Sequence, residues 1–248
     1  MLISTKAIIL KTIPYGDSSI ICRLYTADQG KITIMAKGAW RPKKITGPLL
    51  EPMNHIHLQY YHKSNRDIQL LKEAGLIHQF SILRSGLHRI ILGQAIVETL
   101  DKSTPINNSL PILYRLGWRV LNKMNHTNVN FWLVFAFYLY QLSVLLGFMP
   151  NLKTCLQCKS VFIHASIDEQ TGELICHDCA PRNKLSFNKS SLIFLQKLEN
   201  LHLDDIPPGI NNTAEMYNTL QFLKFFTCIH LDGMDKVRSF DMIHKLLK

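Results

Sequence analysis

Four of the six cysteines in this 248-residue chain form two Cys-x-x-Cys pairs, Cys155 with Cys158 and Cys176 with Cys179. Seventeen residues separate the two pairs. Each pair presents two thiolates on one tight turn, and the intervening loop brings the turns together, as in a zinc ribbon. Four thiolates complete a tetrahedral shell, which leaves no open position for water or a substrate. The spacing therefore predicts one structural zinc ion.

Other uses of these cysteines fit the spacing less well. Two disulfides are disfavoured because thiols stay reduced in the cytoplasm, and a thioredoxin-type motif needs a single Cys-x-x-Cys at a helix start. His177, inside the second pair, could replace one ligand, but we expect it on the surface of the turn. Cys22 and Cys228 each stand alone in an apolar context, which predicts small core residues.

A second group of residues could bind phosphate. The stretch from Gly30 to Gly47 has no acidic residue, and it carries five cations and a tryptophan: Lys31, Lys37, Arg41, Lys43, Lys44 and Trp40. Such cations could follow a phosphate backbone while Trp40 stacks on a base. The alternative is a solvated loop with the tryptophan packed on the protein. A formal charge of +10 favours polyanionic partners, nucleic acid first and an anionic membrane surface second.

Catalytic motifs are missing from the sequence. We find no nucleophile beside a base, no glycine-rich phosphate loop and no paired carboxylate motif, which predicts that the protein is not an enzyme. His55 and His57 share one strand face and His62 follows them. Because no carboxylate or thiol accompanies these histidines, we predict a solvated outer face and not a metal site.

The first 80 residues contain five short segments rich in Ile, Leu and Tyr, separated by Gly, Pro, Asp and Asn. The predicted strands are Ala7–Lys11, Ser19–Tyr25, Lys31–Lys37, His55–Tyr61 and Asp67–Glu73. Five short strands in about eighty residues suit the OB-fold, a five-stranded barrel that binds nucleic acid.

From Phe80 onward the apolar residues follow helical spacing. The predicted helices cover about 83–97, 110–124, 130–147, 188–201, 213–230 and 237–247. The predicted fold class is therefore α+β and multidomain. It comprises a five-stranded OB-fold barrel at 1–79, an α-helical domain at 80–150 and 183–248, and a four-cysteine zinc-binding insertion at 151–182.

An uncharged segment between His126 and Lys153 could span a bilayer by its length. Gln141 and Ser143 lie near its middle and lysines flank it on both sides, so we favour a buried central helix. The N-terminus has no apolar stretch behind a charged start, so we expect no secretory signal and a cytoplasmic location.

Several short segments resemble the RecO family of bacterial recombination mediators. The matching segments are Ala7–Lys11, Tyr15–Ser19, Tyr25–Lys31, Ala36–Ala39, Leu50–Pro52, the turn Gly147–Pro150 ahead of the cysteines, and Val237–Ser239. The position after Ala39 is usually basic in that family and here is Trp40, with Arg41 following. A DNA contact at this position would therefore be partly a stacking contact.

The resemblance implies an N-terminal OB-fold, a helical domain and a zinc-binding insertion. It also implies a function in DNA repair and recombination near the nucleoid. Proteins similar to this one bind single- and double-stranded DNA, anneal complementary strands and, with RecR, help to load RecA onto DNA covered by single-strand binding protein. They also recognise the acidic, hydrophobic-ended tail of that binding protein.

Two other functions compete with this one. A zinc-ribbon transcription or translation factor would read nucleic acid with the cysteine segment itself. That segment offers only two lysines and one aromatic residue, Lys153, Lys159 and Phe162, against three acids, Asp168, Glu169 and Glu173. This composition disfavours a nucleic-acid contact there. A zinc nuclease or deaminase would need an open metal position and a general base, and the sequence shows neither.

Overall fold

The computed structural model describes residues 1–41, 46–105, 109–168, 170–180, 186–209 and 213–246. Lys43 and Lys44, both predicted to contact nucleic acid, lie outside these residues. The described chain forms two compact units. The barrel unit comprises residues 1–127 and 237–246, and the cysteine unit comprises residues 128–236. The division into a barrel domain, a helical domain and a zinc-binding insertion remains a prediction.

Five strands of the barrel unit close into a barrel in the order β1-β2-β3-β5-β4. The strands are β1 (Leu2–Tyr15), β2 (Ser19–Thr26), β3 (Gly30–Ala36), β4 (His55–Tyr61) and β5 (Ile68–His78). Only the β3–β5 pairing is parallel among these five strands. The predicted OB-type barrel is confirmed.

The first strand is longer than the predicted Ala7–Lys11. Its N-terminal half pairs with β4 from Leu2 to Ile8, and its C-terminal half pairs with β2 from Ala7 to Tyr15. A register shift between Ile9 and Lys11 bends the strand between these halves. The sequence pattern marked only Ala7–Lys11, the part of the strand that contains the run of buried residues from Ala7 to Leu10.

Alternate residues of the strands fill the barrel interior. This core is apolar and nearly free of solvent: Ala7, Ile9, Ile20, Cys22, Leu24, Ile32, Ile34, Ile56, Leu58 and Tyr60. Cys22 is a core residue as predicted, and burial raises the pKa of its thiol to about 11, so it stays neutral. Removal of this apolar surface from water is the main force that closes the barrel.

Apart from one short helix between β3 and β4, the helices follow the barrel strands in the chain and continue through the cysteine unit. Within the described residues they are α1 (Thr46–Leu49), α2 (Ser81–Arg84), α3 (Leu87–Ser103), α4 (Pro111–Met124), α5 (Phe131–Leu145), α6 (Lys189–Lys197), α7 (Ala214–His230) and α8 (Arg238–Leu246), with 3₁₀ turns at Leu203–Asp205 and Met234–Lys236. Three short strands, β6 (Ala165–Ile167), β7 (Leu174–Cys176) and β8 (Ser186–Phe187), form a sheet of order β7-β6-β8.

Helices α3 and α4 pack on the outside of the barrel. Gly117 makes this approach possible, because a Cβ there would lie 2.6 Å from Cδ1 of Leu100 in α3 and 3.4 Å from Cδ1 of Ile8 in β1. Pro111 begins α4, where its fixed φ and missing N–H suit a first helical position. Part of the outer barrel face is therefore buried under helices.

Helix α5 is the apolar segment that could have spanned a bilayer. Asn130 begins it by accepting a hydrogen bond from the N–H of Leu133 at 3.0 Å. Residues on all sides of α5 are buried within the cysteine unit, among them Phe135, Tyr138 and Leu142. The part of the chain that the structure describes contains no helix long and apolar enough to cross a membrane.

Candidate metal centre and nucleic-acid interface

The first cysteine pair lies on a turn that doubles back on itself. The N–H of Cys155 donates to the carbonyl of Ser160 at 2.9 Å, and the N–H of Lys159 donates to the carbonyl of Cys155 at 3.1 Å. Lys159 has a left-handed backbone φ of 62°, which residues other than glycine rarely adopt. The reversal of the chain requires this conformation. The turn places both sulfurs of the pair on one side.

The second pair follows β7 directly. The N–H groups of Cys179 and Ala180 both donate to the carbonyl of Cys176, at 3.2 and 3.0 Å. The N–H of Cys176 donates to the sulfur of Cys155 at 3.2 Å, which ties the two turns together. Backbone hydrogen bonds to sulfur stabilise the thiolate form that binds metals.

The four predicted sulfurs come together. Their Sγ atoms all lie within 4.8 Å of one another, and those of Cys158 and Cys176 are 3.6 Å apart. A tetrahedral ion with metal–sulfur bonds of about 2.3 Å would hold its sulfurs about 3.8 Å apart. The cluster could therefore hold a metal ion. His177 is exposed and contributes no atom to this cluster.

The sulfurs of the cluster influence one another's ionisation. A hydrogen bond to the Ser160 hydroxyl, 3.0 Å away, lowers the pKa of Cys158 to about 6. Contacts with the sulfurs of Cys176 and Cys158 raise the pKa of Cys179 to about 12. Four neighbouring thiols do not all ionise together unless positive charge compensates them, and a coordinated metal ion supplies that charge.

The predicted basic loop begins where β3 ends. Lys37, Trp40 and Arg41 are exposed there. The backbone of this loop is fixed to the β1–β2 turn, because the N–H of Trp40 donates to the carbonyl of Ser18 at 3.0 Å and the N–H of Gly38 donates to the hydroxyl of Ser19 at 3.4 Å. Three of the predicted residues therefore lie on one well-anchored loop.

Trp40 is partly packed on the protein and partly exposed for stacking, so it fits both of the predicted environments. One side of its ring contacts Gly47 so closely that a Cβ at Gly47 would lie 2.6 Å from Cε3 of the indole. The side chain is nevertheless 50% exposed. An indole that is held by a close contact and is still half exposed can stack on a base.

Lys31 does not lie with the other predicted residues. It is 5% exposed, and its ammonium group donates to the carbonyl of Asp101 at the end of α3. The carboxylate of Asp101 lies 3.9 Å from the same ammonium and 2.6 Å from a guanidinium nitrogen of Arg23. Burial lowers the pKa of Lys31. Lys31 is therefore not placed to contact phosphate as predicted, because its charge is satisfied inside the protein.

The prediction that His55 lies on a solvated face was also wrong. His55 points outward as predicted, but it is only 3% exposed because α4 covers it, and its Nε2 lies 2.7 Å from the hydroxyl of Tyr114. Burial, together with electrostatic interactions with His78 and Lys6, lowers the pKa of His55 to about 4. His57 is exposed as predicted.

Sequence reasoning missed an apolar row on the open part of the barrel. Ile13 pairs with Ile21, and Ile21 pairs with Met35, so the three side chains lie side by side on the outer face of β1, β2 and β3. None of the three is fully buried, and the neighbouring Tyr15 is 55% exposed. The sequence could have revealed this row, because these strands carry apolar residues on both faces and a solvent-exposed outer face is usually polar.

Comparisons with known proteins agree with this architecture. A family model described as Recombination protein O N terminal matches residues 1–80, and one described as Recombination protein O C terminal matches residues 84–238. A protein of Pelodictyon phaeoclathratiforme named DNA repair protein RecO is 36% identical over 155 residues, which cover 62% of this chain and 59% of the relative.

Two further relatives carry the same name. The protein of Salinibacter ruber is 35% identical over 60% of this chain and 57% of its own length. The protein of Chlorobaculum parvum is 31% identical over 72% of this chain and 69% of its own length. The matched segments thus span less than two thirds of the Pelodictyon and Salinibacter relatives.

Proposed function

The chain belongs to the RecO family, and we propose that it is a DNA-binding recombination mediator in DNA repair. It binds single- and double-stranded DNA and anneals complementary strands, with no catalytic step of its own. With RecR as a direct partner it helps to load RecA on DNA coated with single-strand binding protein, whose acidic tail it recognises. It acts in the cytoplasm, at the nucleoid.

The observation that carries this proposal is the combination of charge and exposed ring surface at one end of the barrel. The loop with Lys37, Trp40 and Arg41 is bonded to the β1–β2 turn. That turn follows Tyr15, whose strand also carries Ile13 of the outer apolar row. Cations neutralise phosphates while aromatic and apolar side chains contact bases, which is how OB-folds bind single strands.

Annealing follows from the same surface without chemistry. Two DNA strands repel each other through their phosphates, and a basic surface that binds both lowers this repulsion. The excess of 28 Lys and Arg over 18 Asp and Glu is consistent with that role. Because binding releases counterions, both affinity and annealing decrease steeply as the salt concentration rises.

The proposed metal is one zinc ion with a structural role. All four available ligand atoms are sulfurs, which suit zinc among the common cellular metals. Cys155, Cys158, Cys176 and Cys179 would hold it, and the bound ion would order the turns on which they lie. Metal analysis of the purified protein should find about one zinc per chain, and Cys176→Ser should lower that content together with the thermal stability.

The function is tested by annealing of complementary oligonucleotides, each coated with single-strand binding protein, at two salt concentrations. A second series uses binding protein that lacks its C-terminal tail. We expect annealing that decreases with salt and requires the tail. Folded, metal-loaded protein that binds DNA but never anneals would contradict the mediator function and leave a nucleic-acid-binding module.

The DNA surface is tested with the double variant Lys37→Ala/Arg41→Ala. Loss of two phosphate contacts should decrease the slope of log K against log salt by about 1.4 on single strands. Lys72→Ala is the matched control, because Lys72 is an exposed barrel lysine on β5 that bonds to Gln59. Equal slopes for the double variant and this control would place the DNA surface elsewhere.

A further inference from the structure

The cysteine unit contains a cleft of about 350 Å³ beside its small sheet. Two histidines line the cleft, His164 just before β6 and His177 in the second cysteine turn. Ser166, Ser186 and Asn188 also line it. These five polar residues come from three segments of the chain, so the fold of the unit assembles the cleft.

The described lining residues include hydroxyl, amide and imidazole groups and no carboxylate. Ser166 is only 6% exposed, and within the described residues no hydrogen bond joins its hydroxyl to another group. A secluded hydroxyl gains free energy when a ligand oxygen accepts its hydrogen bond. The nearest acid in sequence, Asp178, is exposed and does not line the cleft.

Helix α6 begins at the cleft. Asn188 caps this nine-residue helix by accepting a hydrogen bond from the N–H of Ser191 at 2.8 Å. The N–H groups of Lys189 and Ser190 have no acceptor within the helix, and the helix dipole makes this end positive. The first turn contains no acidic residue, and Lys189 itself is exposed. Such an end attracts anions.

We propose that this cleft binds a phosphate group. The hydroxyls of Ser166 and Ser186, the imidazole of His164 and the first turn of α6 supply the donors that phosphate oxygens need. The phosphate belongs either to a nucleic-acid backbone or to free phosphate. The site goes beyond the proposed function, which places the DNA contacts on the barrel.

The test uses the full-length, metal-loaded protein and two probes. Inorganic phosphate is titrated by calorimetry, and a labelled single-stranded oligonucleotide is titrated by fluorescence anisotropy. Ser186→Asp introduces a negative charge at the exposed rim and should weaken phosphate binding about tenfold. His164→Ala removes one donor and should weaken it about threefold. Thr171→Asp is the control, with the same charge change at an exposed turn of the same unit.

The two probes separate the possible sources. If Ser186→Asp weakens both phosphate and oligonucleotide binding, the ligand is the nucleic-acid backbone. If it weakens only phosphate binding, the ligand is free phosphate. The proposal is overturned if wild-type protein does not bind phosphate, or if Ser186→Asp and Thr171→Asp bind both probes equally. Failure of the proposed function would appear separately, as wild-type protein that takes up phosphate but does not bind or anneal DNA.

Discussion

The barrel has two outward-facing rows that share strands β1, β2 and β3, and the described helices cover only one of them. The covered row runs through Lys31, Tyr25, Ile8 and His55, which are neighbours in register on β3, β2, β1 and β4. The open row runs through Met35, Ile21 and Ile13. The rows lie four residues apart on β2, about 13 Å along the strand.

Each polar side chain of the covered row has at least one partner in the helical part of the barrel unit. Lys31 donates to the carbonyl of Asp101, and the hydroxyl of Tyr25 donates to the carbonyl of Leu110 at 3.4 Å. His55 contacts the hydroxyl of Tyr114. Outward orientation on a barrel therefore does not mean exposure, and the two rows differ in what packs on them. The covered row stabilises the unit, and the open row stays accessible to a ligand.

The largest expected contrast between the rows is in folding stability. Ile8→Ala leaves a cavity beneath α4 and should lower the free energy of unfolding by about 3 kcal/mol. Ile21→Ala removes a partly exposed side chain of the open row and should cost about 1 kcal/mol or less. Urea denaturation of both variants measures this difference. Equal losses would show that the open row is packed as tightly as the covered row.

A second contrast is the dependence of stability on pH. His55 has a pKa of about 4 in the folded protein and about 6.5 when unfolded. The unfolded state therefore binds the proton more readily. The contribution of neutral His55 is complete above pH 6.5 and is lost as the pH falls toward 4, by about 2 kcal/mol after allowance for solvent screening.

The variant His55→Phe isolates this contribution. It should lack the part of the pH dependence that lies between pH 6.5 and 4.5, whereas His57→Phe, on the exposed neighbour, should retain it. Denaturant unfolding at several pH values provides the measurement. A wild-type slope that persists in His55→Phe would assign the dependence to other groups.

The smallest contrast concerns two lysines of the same segment. Lys31→Ala removes a buried hydrogen bond and should lower stability by about 1–2 kcal/mol, with little change in the salt dependence of DNA binding. Lys37→Ala should leave stability within about 0.5 kcal/mol and decrease the salt slope by about 0.7. Reversal of this pattern would mean that Lys31 reaches DNA by rearrangement of the Asp101 contact.

The two rows also explain which predictions from sequence succeeded. The alternation of apolar and polar residues predicted the barrel strands, because inner positions such as Ile56 and Leu58 must be apolar in a closed barrel. The cysteine spacing gave the sulfur cluster, because two short turns carry all four ligands. Both signals depend on residues close together in the sequence.

The burial of Lys31 and His55 was not predictable in this way. It depends on Asp101 and Tyr114, which lie 70 and 59 residues further along the chain. The outer strand positions show only that a side chain points outward, and no local pattern shows which helix will cover it. The open row was missed for the same reason. From the sequence Ile21 resembles a core residue, and only the structure shows that no described helix covers it.

The pairing of β1 with two partners has a consequence for how the barrel folds. Its C-terminal half joins β2 across a short turn, so Pro14 and Ile20 meet early. Its N-terminal half joins β4, and Leu2 must find Tyr61 across most of the domain. Contacts between distant residues form slowly because loop closure costs entropy before the contact is made. We therefore expect the barrel to close at Leu2–Lys6 late in folding. Deletion of these five residues should leave the meander β1-β2-β3 with an open edge that favours aggregation.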